Sequence, residues 1–226
     1  GICSHLARAY GEEELDREYT LEQIDQFKAV LKRLEEAGIE IPIRHLANSS
    51  GLLEYPESSF DLVRSGIINY GLWPFVREKS EEIADRLDFD LKPALALKAE
   101  LAYTKELPAG CGVSYGSTYV TSDSTRIGVV PLGWGDGYPR FLTNKGEVLI
   151  KGEKREMLGI ICMDQLMVDI TGMDNVEAGE EVLLIGRERL KAYDVAAKIE
   201  SINYELVTRL GARVPRVYLK DNQIVK

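Results

Sequence analysis

Several things are scarce in this chain of 226 residues, and each scarcity narrows what it can do. Basic charge is outnumbered: 28 Lys plus Arg stand against 37 Asp plus Glu, for a net charge of −9. A chain with pI near 5.0 lacks the positive footprint that polyanions require. Neither nucleic acid nor an anionic membrane surface is therefore expected as a partner. Only two histidines occur, His5 and His45, so no multi-histidine metal site and no metal is expected. The three cysteines, Cys3, Cys111 and Cys162, are odd in number and far apart. They offer neither a disulfide framework nor a zinc knuckle, and fit a reducing, cytoplasmic compartment. No apolar run approaches the roughly 20 residues of a membrane-spanning helix. The chain opens at Gly1 and enters structured-looking sequence at once, so any leader lies outside it.

What is present is ample for folding. Hydrophobic residues make up 45% and charged residues 29%, enough for a sizeable core without staples. At about 150 residues per domain, the length suits one large domain or two small ones. The first part alternates short strands and helices. Gly1 to Ala9 (GICSHLARA) begins strand-like. Leu21 to Ala37 carries Ile24, Phe27, Val30, Leu31 and Leu34 at helical spacing. Thr20, with Gln23 three residues on, matches a capping box, and Gly38 supplies the stop. IPIRHLANSS reads as a second strand-to-helix junction and FDLVRSGIINYG as a third strand-like segment. This rhythm predicts a parallel sheet built of βα units.

From about Leu91 the texture changes. Ala94–Lys105, Arg126–Pro131, Glu147–Ile150, Leu166–Ile170 and Glu181–Ile185 are β-rich runs separated by turn clusters. They predict an all-β domain, in which only Tyr193–Glu200 looks helical. The best cut lies at residues 85–92, within the acidic SEEIADRLDFD stretch, giving domains 1–88 and 89–226. Three βα units cannot close a barrel of eight. The first segment is therefore either a small α/β layer or the C-terminal part of something longer.

No nucleophile elbow or P-loop occurs. The order of the polar residues says more than any one of them. His5 ends one strand, Asn48-Ser49 a second, and Arg64-Ser65-Gly66-Ile67 a third. In a parallel barrel these ends share the ligand-binding side. The Ser49 hydroxyl and the N–H groups after Arg64, with no side chain at Gly66, would make a phosphate cradle. Taken singly, each has a structural alternative. His5 suits a hydrogen-bonded strand end, Tyr115 a packed loop aromatic, Arg64 a surface ion pair and Met163 core filling.

Taken together they resemble a family. GICSHLARA, HLANSSG, FDLVRSGIINYG, GCGVSYGSTY, GWGDGYPR, GIICMDQLMVDIT and INYELVTRLGARVPRVY follow the order of motifs in bacterial alanine racemases, the fold-type III pyridoxal phosphate enzymes. The resemblance spans residues 1–220. It implies the C-terminal part of a TIM-like (β/α)8 barrel followed by a mostly antiparallel β domain. It also implies racemisation of L- and D-alanine by two bases, supplying D-alanine for peptidoglycan, with pyridoxal 5'-phosphate as cofactor.

The resemblance assigns roles residue by residue. Tyr115 is implied as the base on one face of the substrate's α-carbon, His5 as its hydrogen-bond partner and Arg64 as the support for that histidine. Free tyrosine titrates near pH 10, so such help is needed. Arg64 also faces the pyridine nitrogen, where a cation keeps it unprotonated and limits the carbanion's lifetime. Ser49, the backbone of Gly66 and Ile67, and Tyr204 are implied to hold the phosphate. The Met163 backbone N–H, with Cys162 and Asp164 around it, seats the substrate carboxylate. In the family the tyrosine and methionine segments reach the partner subunit's site, which implies a homodimer.

Two departures stand out. The family's cofactor lysine lies in a V-K-A-[DN]-A-Y-G-H-G type motif on the first barrel strand, and nothing like it occurs here. Lys28, Lys32, Lys98 and Lys105 are no substitutes, so the first half of the barrel is expected to be missing. Trp134 stands where the family usually has tyrosine, which bears on pocket shape. That keeps a serine or broad-specificity racemase open as the alternative. The missing lysine keeps open a non-catalytic cofactor-binding or scaffold protein.

Overall fold

The computed structural model describes residues 1–221 and 223–225. The chain divides into two compact units, Gly1–Ala94 and Leu95–Lys226.

The first unit contains β1 (Ile2–Cys3), α1 (Glu14–Glu36), β2 (Arg44–His45), α2 (Ser49–Glu54) and α3 (Arg77–Leu87). β1 and β2 pair in parallel, Ile2 opposite Arg44 and Cys3 opposite His45. Such pairing needs a crossover, and α1 supplies it. The helix starts at Glu14, not at Leu21. Glu14 and Asp16 place negative charge in its first turn, where the helix dipole favours it. The Asp16 carboxylate accepts the Glu13 N–H at 3.3 Å. Thr20 is no cap; it is buried inside the helix, and its hydroxyl donates to the Asp16 carbonyl at 2.7 Å. Gly38, at φ 70°, follows the C-cap Ala37 as the sequence predicts. Ile24 and Phe27 pack with Leu6, Ala9, Leu46 and Tyr55 in one core cluster. Burial of Leu6, Ile24, Phe27 or Leu46 contributes about 1.5–3 kcal/mol each.

The third expected strand does not form. Residues 61–66 run beside β2 with two backbone bonds, Asp61 N–H to Arg44 O (3.0 Å) and Arg64 N–H to Ala47 O (2.9 Å). Between them the Arg44 guanidinium grips the Asp61 carboxylate with two bonds, of 2.7 and 2.9 Å, so side chains replace the ladder. Ile67–Tyr70 then forms one 3-10 turn, closed by Gly71 at φ 71°. The acidic stretch read as a boundary instead supplies much of α3, which ends at Asp88 in the left-handed region.

The second unit comprises β3 (Leu97–Glu100), β4 (Tyr103–Leu107), β5 (Gly112–Val113), β6 (Tyr119–Val120), β7 (Thr125–Val130), β8 (Glu147–Ile150), β9 (Glu153–Leu158), β10 (Leu166–Asp169), β11 (Glu181–Ile185), α4 (Ala192–Ala197), α5 (Asn203–Thr208), β12 (Tyr218–Lys220) and β13 (Gln223–Val225). Among the described residues, seven of these strands form an antiparallel sheet in the order β3-β11-β8-β9-β10-β7-β4. The run expected over Ala94–Lys105 is two strands, β3 and β4, at opposite edges of that sheet. β5 and β6 make a separate hairpin whose loop carries Tyr115. Val113 below that loop is buried with Ile127, Leu158, Cys162 and Met167. Among the described residues, no helix is long and apolar enough to cross a membrane.

Candidate active site

The first unit gathers its polar residues at the carboxyl ends of β1 and β2. Arg64 is their centre. One guanidinium nitrogen donates to His45 Nδ1 at 2.6 Å. The other donates to the carbonyls of Ser4 (2.7 Å) and Leu46 (3.2 Å) and lies 3.3 Å from His5 Nδ1. A guanidinium has no acceptor, so His45 Nδ1 accepts and the proton of the neutral ring sits on Nε2. Asn48 caps α2, its side-chain oxygen accepting the Gly51 N–H at 2.9 Å. That cap fixes the amide so that Nδ2 faces His5 Nε2 at 3.4 Å. His5 and Arg64 are thus brought together as the sequence predicts. His45 and Asn48 complete the group; Asn48 stands among the strand-end residues the sequence singles out, whereas His45 does not.

Beside this group lies the predicted cradle. Ser49 is buried, and its Oγ accepts the Gly66 N–H at 2.9 Å, leaving the hydroxyl proton to be donated outward. Gly66 therefore contributes room more than a donor. A Cβ there would meet Ser49 Oγ at 3.7 Å and no other atom within 4 Å. Ile67 opens the 3-10 turn, where first-turn N–H groups lack partners within the turn, and no side chain caps it. A hydroxyl, an open glycine and helix-start amides suit a phosphate by their donor chemistry.

The second unit holds the remaining predicted residues. Tyr115 sits in the β5–β6 loop and is 72% exposed. Cys162 is buried, while Met163 is exposed at 58%. Trp134 N–H donates to Cys162 O (3.0 Å) and Gly135 N–H to Met163 O (2.8 Å), so the GWGDG loop lies directly on the Cys162–Met163 segment. The glycines permit this approach, since a Cβ on Gly133 would sit 2.3 Å from Cys162 O. Buried Asp136 secures the loop, accepting from Gly133 N–H (3.0 Å) and from Arg213 through two bonds, of 2.5 and 2.7 Å. The Arg213 guanidinium holds the Asp136 carboxyl below its ordinary range. This pair spans 77 positions of sequence, and no spacing rule could have found it. Asp164 is exposed beside Met163. Tyr204 lies on α5, and its partial burial pushes the phenol upward, so it remains an O–H donor near neutrality. Among the described residues, no group of three metal-ligating side chains occurs.

Known proteins agree on one family. Residues 1–74 match the model for "Alanine racemase, N-terminal domain" and residues 94–218 that for "Alanine racemase, C-terminal domain". The alanine racemase of Halothermothrix orenii is 43% identical over 221 residues, covering 96% of this chain and 56% of that protein. The crystal structure of alanine racemase from Bacillus anthracis with bound L-Ala-P superposes with a TM-score of 0.89 at 35% identity, covering all of this chain and 56% of its own. That of Bartonella henselae, with covalently bound pyridoxal phosphate, superposes at 0.80 with 30% identity, over 96% and 56% of the two chains. The chain thus spans a little over half the length of the relatives it matches. By these matches along nearly its whole length, the chain belongs to the alanine racemase family.

Proposed function

We propose that this chain serves a pyridoxal phosphate-dependent alanine racemase that supplies D-alanine for peptidoglycan. In this reading the first unit is part of a (β/α)8 barrel. The observation that carries the reading is the Arg64 group standing beside the open Ser49–Gly66 cradle. Bound there, the cofactor supplies an electron-withdrawing ring that makes the substrate's α-proton removable.

The chain's own residues do the rest. The Ser49 hydroxyl, the Ile67 N–H and the Tyr204 hydroxyl bind phosphate. Arg64 is tied by His45 and two carbonyls, so it presents a fixed positive charge to the ring nitrogen. Tyr115 takes or returns a proton at its phenolic oxygen on one face of the substrate, with His5 as its hydrogen-bond partner. A lysine of the kind found in the family serves the other face. The Met163 N–H, flanked by Cys162 and Asp164, seats the carboxylate, while Trp134 borders the pocket. The family's shared sites imply a homodimer, with the Tyr115 and Met163 segments serving the partner's site.

Tyr115→Phe in the complete protein tests the assignment. L-alanine is supplied with added cofactor and D-alanine is quantified by chiral chromatography. Loss of most racemisation with cofactor still bound is expected. Undiminished activity in the variant would remove Tyr115 from the mechanism.

A further inference from the structure

Tyr115 has no hydrogen bond of its own side chain among the described residues, and its ring is largely exposed. What orients it is the residue before it. Ser114 holds φ 64° and ψ −174°, a conformation nearly confined to glycine and costly for any side chain. Ser117, at φ 47°, adds a second strained position to the same loop. Such a conformation persists only where surrounding contacts enforce it.

The enforcing contact is visible. The Ser114 hydroxyl donates to the Ile160 carbonyl at 2.5 Å and lies 3.4 Å from Cys162 Sγ. The two segments are pressed together, since a Cβ on Gly159 would sit 2.5 Å from Val113 O and 2.9 Å from Ser114 Cβ. Asn144 ties the far side, donating to Thr118 Oγ1 (3.2 Å) and accepting the Gly159 N–H (2.7 Å).

We propose that Ser114 is a positioning residue for the reaction. Its hydroxyl locks the loop in a glycine-only conformation, and so registers the Tyr115 phenol against the Cys162–Met163 segment. This rests on the racemase reading above.

Two variants of the complete, cofactor-loaded enzyme test it. Ser114→Ala keeps the steric cost and removes the lock. Its kcat per bound cofactor should fall about 100-fold with KM little changed, the loss expected of a misplaced catalytic group. Ser114→Gly removes both lock and cost, so the working conformation stays accessible and about tenfold of that loss should return. The alanine variant should also unfold at the lower temperature, because alanine at positive φ is strained. A residue that only packed would give the reverse order, since glycine loosens a chain more than alanine. Wild-type kcat in the alanine variant would overturn the proposal, and so would a glycine variant no better than alanine. If the unmodified enzyme does not racemise, the racemase reading falls. Comparison with the unmodified protein then judges the lock alone: Ser114→Ala, which differs only by the hydroxyl, unfolding at a lower temperature supports it, and equal unfolding temperatures overturn it.

Discussion

At the scale of single residues, the proposed chemistry rests on side chains with one charge and several partners. Arg64 is the clearest case, since four acceptors on two segments, Ser4-His5 and His45-Leu46, hold its plane. A lysine would keep the charge and lose the fork. Arg64→Lys should therefore lower D-alanine formation by about 100-fold with the cofactor still bound, because the fixed geometry is lost. Asp61 makes a different prediction. The Arg44 guanidinium and N–H hold its carboxyl down to about 2, below the ordinary value of 3.8. A depressed folded value means stability that is full above the ordinary value and lost as pH falls toward 2. Asp61→Asn should unfold at lower temperature than the wild type at pH 6, and the two should converge near pH 2, as followed by circular dichroism. His5, Arg64 and Ser49 were legible as strand-end polar residues. The Arg44–Asp61 clamp was not, because nothing in a linear reading says which of 37 acidic residues meets which cation.

At the scale of elements, periodicity served the helix body and the buried strands well. Glu147–Ile150 and Glu181–Ile185 appear with the bounds expected, as their apolar content demands. β9 escaped notice because EKREML is mostly charged and takes its place through pairing with β8 and β10. FDLVRSGIINYG looked like a strand because its composition is β-like, yet side-chain clamping and Gly66 turned it into a loop and a 3-10 turn. That turn makes its own prediction. A Cβ at Gly66 clashes with nothing but occupies the open cradle. Gly66→Ala should leave the unfolding temperature unchanged and weaken cofactor binding about tenfold, as read by fluorescence titration.

At the scale of the whole molecule, the two units carry different halves of the proposed chemistry: Arg64, His5 and Ser49 in the first, Tyr115 and Met163 in the second. A symmetric dimer that shares its sites predicts complementation. Arg64→Lys and Tyr115→Phe enzymes, each nearly inactive alone, should recover about a quarter of wild-type activity when subunits are exchanged at equal amounts. Half of the dimers are then mixed, and each mixed dimer regains one of its two sites. No recovery after verified exchange would place each site within a single subunit.

The two-part texture, the apolar faces that bury the cores and the ordered motifs that mark the family are carried by the linear chain. These are local properties, written in spacing and side-chain type. Folding alone settled which groups meet. It joined His45 and Asn48 to His5 and Arg64, locked Asp136 onto Arg213, and set Ser114 against Ile160 to hold the Tyr115 loop. Those contacts join residues 19 to 77 positions apart, and a hydrogen bond is specified by where the chain returns in space.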